Sequence, residues 1–127
     1  MTDIRSWGTT LLRVVVGTVF VAHGGQKLFM GFHNVAGFLN QLNIPFPTIC
    51  SILLTVAELF GGLAMIAGVL TRYVAVVLAF DMAVAIVTFH MHNGFFMPDG
   101  IEYPLVLLAA NLFFVIAGGG AAELVRS

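Results

Sequence analysis

The chain has 127 residues, of which 60% are hydrophobic and 9% charged, with a formal net charge of -1 and a mean hydropathy of +1.05. A soluble domain is roughly half apolar and about a quarter charged, so a fold of this size cannot bury such an excess and must present it to lipid. The basic residues are scattered and form no patch, which argues against a nucleic-acid partner.

The pattern predicts an all-α fold, a transmembrane four-helix bundle in one domain over residues 1–127. A spanning helix needs ~20 predominantly apolar residues. The first candidate covers about residues 7–29, and without a cleavage site after it we read it as a span and not a removed signal. The next segment carries Phe32, Val35, Phe38, Leu39 and Leu42 at helical spacing among Asn34, Asn40 and Gln41, which predicts a short interfacial helix between spans one and two. Span two covers about 47–70, opened by Pro45 and Pro47. Span three, about 73–92, follows the tight turn Thr71-Arg72 and must lie antiparallel beside span two. The Gly-, Pro- and Asn-rich link that follows holds Phe95, Phe96 and Met97 and reads as a re-entrant or interfacial loop. Span four, about 102–117, is the shortest and is stopped by Gly118-Gly119-Gly120. Arg5, Arg13, Arg72 and Arg126 fall at one end of these spans and Lys27 at the other, which places both termini in the cytoplasm.

Charges inside spans are costly unless paired, so Arg13, Glu58 and Asp81 mark a site. A ~1.5 Å rise per residue puts Arg13, Asp81, Glu58 and Asn111 about 10–16 Å above the terminal end, as one buried polar cluster. The simplest arrangement sets the planar Arg13 fork between Glu58 and Asp81, with one carboxyl keeping its proton. Gly17, with Gly24 nearby, shares a face with Arg13, and Gly61 and Gly62 share one with Glu58, so the helices can approach closely. Such a cluster can fix helix register alone, carry protons or electrons, or act as a counter-charge.

A second belt lies toward the other end. It holds His23, Gln26, Lys27, His90, His92, Asn93, Glu102 and Tyr103, with Phe29, Phe32, Phe89, Phe95 and Phe96 nearby. Imidazole moves protons near neutral pH, and Tyr and Lys donate hydrogen bonds to a carbonyl or anion. A flat apolar ligand with polar carbonyl ends suits such residues, and a quinone head group is one. The ordinary readings stay open: Lys27 and Tyr103 as interface anchors, Glu102 as a helix N-terminal acid, His92 and Asn93 as the end of span three. At about 100° per residue His90 lies opposite Asp81, whereas His92 and Thr88 share its face. There is no zinc-type ligand spacing, no haem, flavin or iron-sulfur motif, and the lone Cys50 excludes an internal disulfide.

Taken together these pieces resemble the DoxX family of small four-span bacterial membrane proteins, over nearly the whole chain. The resemblance runs through Arg13, His23-Gly24, Lys27-Leu28-Phe29, Ala36-Gly37-Phe38-Leu39 and Ile44-Pro45. It continues through Glu58 with Gly61-Gly62, Thr71-Arg72, Asp81-Met82, His90, Asn93-Gly94-Phe95-Phe96 and Glu102-Tyr103-Pro104-Leu105. The family is similar to the membrane subunit of a thiosulfate:quinone oxidoreductase, and some relatives are linked to oxidative or quinone stress. The resemblance implies a bacterial inner-membrane (plasma membrane) protein that binds a quinone and works with a partner redox protein, as a subunit of a quinone-linked oxidoreductase. It singles out Arg13, His23, Lys27, Glu58, Asp81, His90 and Glu102. Two other readings compete: a non-enzymatic scaffold that recruits partners, and a small transporter, for which four spans would need a homo-oligomer.

Overall fold

The computed structural model describes residues 4–127 and is built from α-helices: α1 (Ile4–Met30), α2 (Phe32–Gln41), α3 (Pro47–Ala67), α4 (Thr71–Thr88) and α5 (Glu102–Ala117). Of these, α1, α3 and α4 are long and apolar enough to cross a membrane, while α5, at 16 residues, is a shorter apolar helix of ~24 Å. The expected all-helical bundle with a short helix after the first span is therefore present.

The helix ends follow local chemistry. Pro47 opens α3, where its missing N–H costs nothing. Gly68, at φ 75°, closes it in a left-handed turn three residues short of the expected boundary. At the end of α4, Phe89 leaves helical geometry and a 3-10 turn, His90–Asn93, takes over; the Asn93 amide donates back to the Phe89 carbonyl at 2.9 Å. Span three thus stops at Thr88 and not at His92. Only α5 keeps the bounds the sequence suggested.

Two helix pairs, α1 with α3 and α4 with α5, carry most of the packing, joined where α3 meets α4. Glycine sets the first pair. A methyl group on Gly17 would lie 2.7 Å from the Gly62 carbonyl oxygen, and one on Gly24 would lie 2.5 Å from the Leu59 backbone nitrogen. Such backbone contact lets dispersion act over the whole seam, which matters in a bilayer where lipid is as apolar as leucine. Gly61 turns the other way, toward Leu78 of α4. The outward faces are apolar and open, with Phe29, Phe80 and Ile116 at 94%, 71% and 79% exposure, as a lipid-facing surface requires.

After α5 the chain does not simply stop. Residues 118–127 fold back beneath the bundle. Val125 exchanges backbone hydrogen bonds with Gly68 and Leu70, the Ala121 amide donates to Ser6, and Thr10 Oγ1 donates to the Ala121 carbonyl. Arg13, almost fully buried, holds this segment. Its guanidinium donates to the carbonyls of Met65 (2.8 Å), Gly119 (2.7 Å), Ala121 (3.2 Å) and Ala122 (3.1 Å), with Glu123 near enough to attract it. The expected placement of Arg13 between Glu58 and Asp81 is therefore wrong. Helical side chains lean toward the helix N-terminus, so a long side chain at position 13 drops away from the mid-helix carboxyls and meets the Met65 carbonyl in the last turn of α3 and those of the tail. Asn111 is not part of an Arg13 cluster either. Its amide donates to Leu107 of its own helix at 2.8 Å, and its Oδ1 is buried without a partner among the described residues.

Neighbouring glycines should respond oppositely to one methyl group. Gly24→Ala is expected to lower stability by about 1–3 kcal/mol through overpacking, while Gly25→Ala, with nothing within 4 Å of the new carbon, should be neutral or raise it by about 0.5–1 kcal/mol; thermal unfolding in detergent measures both. Arg13→Lys keeps the charge but not the fork, and one ammonium cannot reach carbonyls spread over α3 and the tail. We expect a loss of about 2–4 kcal/mol, and faster proteolysis of residues 118–127, read by limited digestion and mass spectrometry.

Candidate functional site

The pair that Arg13 does not make is made by Lys27. Its Nζ donates to Glu58 Oε1 at 2.8 Å, and the two side chains are 24% and 4% exposed. The same lean of helical side chains explains this. From position 27 of α1 the chain reaches back into the bundle, and Glu58, on the oppositely running α3, leans up to meet it. Asp81 of α4 lies beside both groups. Its Oδ2 is buried and accepts no hydrogen bond from an N–H or hydroxyl among the described residues, and the Asp81 carboxyl lies against that of Glu58. Glu58 is thus paired with the ammonium near the middle of α3, and Asp81 is a second carboxyl close by.

These groups sit on the wall of a cavity of about 620 Å³ to which all five helices contribute. Phe20, Leu54, Ala57 and Leu107 are among the apolar lining, and the polar lining includes His23, Lys27, Glu58, Asp81, Thr88, His90 and Tyr103. Clefts of roughly 300–1,000 Å³ with a mainly apolar wall and a few convergent polar groups are the usual form of small-molecule sites.

The histidines are held by backbone carbonyls. His23 Nδ1 lies 2.8 Å from the Val19 oxygen, and His90 Nδ1 lies 2.8 Å from the Asp99 oxygen. A carbonyl only accepts, so each Nδ1 carries the proton, and in a neutral ring Nε2 remains as an acceptor. The His23 ring packs on Tyr103 with centroids 5.8 Å apart. His90 packs edge-on to Phe89, which in turn meets Phe38 of α2.

The sequence-selected belt divides here. His23, Lys27, His90 and Tyr103 line the cavity, whereas Gln26 and His92 are exposed and do not. Glu102 is spent locally, accepting a hydrogen bond from the Met97 amide at 3.0 Å. The helical-wheel argument that set His90 opposite Asp81 fails because α4 ends at Thr88. The 3-10 turn swings His90 onto the same cavity as Asp81, and His92 away from it. Sequence reasoning also missed that Lys27 belongs to the carboxyl group. Its position near a helix end suggested an anchor, and only the direction of its stem signals otherwise. Cys50 is partly exposed, lines the cavity and donates to the Pro45 carbonyl at 3.2 Å.

A family model described as DoxX matches residues 8–91, a stretch that takes in His23, Lys27, Glu58, Asp81 and His90. The chain belongs to the DoxX family. It is 31% identical to the Bacillus subtilis protein named "Putative oxidoreductase CatD", over 83% of this chain and 76% of that one. It is 27% identical to the inner membrane protein YphA of Escherichia coli, over 91% of this chain and 86% of the relative. An uncharacterized membrane protein of Mycobacterium tuberculosis is 37% identical, over 91% of this chain and 77% of its own length. No solved structure matches the chain. The DoxX match and these relatives make it a membrane protein, in agreement with its apolar exposed helices.

Proposed function

We propose that this DoxX protein binds a quinone-like ligand in the cavity and works with a partner oxidoreductase in the bacterial inner membrane, with both termini in the cytoplasm. The observation that carries the reading is a group of three ionisable side chains, the Lys27–Glu58 pair with the Asp81 carboxyl beside it, on the wall of a mainly apolar cavity. Polar groups gathered in an apolar cavity are the usual means of orienting a small ligand there. The relative named as an oxidoreductase, and the chain's lack of any motif for its own redox centre, point to a ligand and a partner that carry the electrons.

A quinone supplies reversible uptake of electrons together with protons. The residues present fit its head group in size and in kind. Lys27 and Tyr103 donate hydrogen bonds to a carbonyl oxygen, and the His23 Nε2 accepts one from a hydroxyl. Glu58 and Asp81 are carboxyls at the cavity wall, able to take a proton from such a ligand or return one to it. The apolar remainder excludes water and strengthens each of these contacts. A scaffold without a ligand remains the competing reading, favoured by Arg13, whose charge is used wholly for folding.

The protein purified in mild detergent is expected to yield extractable quinone and to gain thermal stability when a short-chain quinone is added. Lys27→Met and Asp81→Asn should each weaken that response by roughly tenfold in quinone concentration. Absence of extractable quinone together with no thermal shift would contradict the reading.

A further inference from the structure

The cavity's wall is not closed all round. Its outward end is lined by Phe38 and Leu39 of α2 and by Met97 and Pro98 of the loop before α5, and Phe38 and Met97, at 41% and 53% exposure, leave a second gap there. On its flank, Leu53 of α3 and Val77 and Phe80 of α4 line the cavity and are also 62%, 51% and 71% exposed. A residue that does both stands at a rim. The rim lies between α3 and α4, and the Lys27–Glu58 pair behind it is level with the middle of α3, about 13–16 Å from either end of that helix. In a hydrocarbon core ~30 Å thick that level is the bilayer interior. An opening there faces acyl chains and not water, and every side chain at its rim is apolar.

We propose that this side opening between α3 and α4 is the ligand's route: the occupant is a membrane lipid of the quinone class that slides in from the bilayer. Its polar head reaches Lys27 and Asp81, and its hydrocarbon chain trails out past Leu53, Val77 and Phe80. The inference rests on the reading of the cavity as a quinone site and adds the direction of access and a requirement for the chain. Three features agree with it. Asp81 stands one turn along α4 from Val77 at the rim, and Lys27 is the more open partner of its pair. The cavity's volume suits a ring and the start of a chain but not a long isoprenoid tail, so the remainder must leave through a gap. A chain lying along lipid-facing helices keeps its solvation, whereas one threaded outward past α2 would meet the polar interface.

The test uses the full chain in phospholipid liposomes and a quinone with a decyl chain that carries a photoreactive diazirine midway. Illumination followed by peptide mass spectrometry is expected to place the label on the peptides holding Leu53 and Val77–Phe80. Leu53→Trp and Val77→Trp, both at the rim, should lower the labelling by roughly tenfold. That loss should exceed, by about fivefold or more, any change in the midpoint of the thermal shift given by a chainless quinone in the same variants. Label on α2 or on residues 95–98, or labelling unchanged by the tryptophans, would overturn the side route while leaving the quinone site standing. If neither quinone binds, the ligand reading fails and the route falls with it.

Discussion

Inside a bilayer no water is available to solvate a charge, so every charge on a spanning helix must find its partner within the protein. In this chain that constraint sorts two cations of one helix to two different tasks. Arg13 spends its planar fork on backbone carbonyls at the end of α3 and in the tail, and so ties residues 118–127 to the bundle. Lys27, almost four turns further along, turns back into the bundle and neutralises Glu58. The lean of helical side chains toward the N-terminus accounts for both choices. The division separates what keeps the protein folded from what lines its cavity.

The close seam between α1 and α3 makes the second task feasible. Gly17, Gly24 and Gly62 bring the two backbones into contact, which carries Lys27 within reach of Glu58. The α4–α5 pair packs separately and meets the first pair through Gly61 and Leu78. Between the two pairs, toward the end covered by α2, the helices leave the space that Asp81, His23 and Tyr103 line. Tight packing at one place and an open volume at another are thus two results of one distribution of small residues.

Much of this was legible in the sequence. Long apolar runs gave the spans, the spacing of Phe32 to Leu42 gave α2, and the glycines gave the α1–α3 face. What escaped has physical causes. Partners of Arg13 were sought among side chains, but its acceptors are carbonyls, which every residue carries and no composition reveals. The glycines after α5 read as a stop, although Gly120 also lets the tail press against Ser6 and Thr9 of α1. Lys27 looked like an interface anchor because residue position was weighed and stem direction was not. His90 and His92 exchanged roles because a wheel drawn at constant pitch cannot register the change from α-helix to 3-10 turn at Phe89.

The account's central claim is that Lys27 and not Arg13 answers the charge of Glu58, and a pair of double-mutant cycles tests it most directly. Unfolding stability would be measured for Lys27→Met and Arg13→Met, each alone and combined with Glu58→Gln. The account expects a coupling of about 1–3 kcal/mol between Lys27 and Glu58, and additivity within about 0.5 kcal/mol between Arg13 and Glu58. Coupling of Glu58 to Arg13 with none to Lys27 would contradict it.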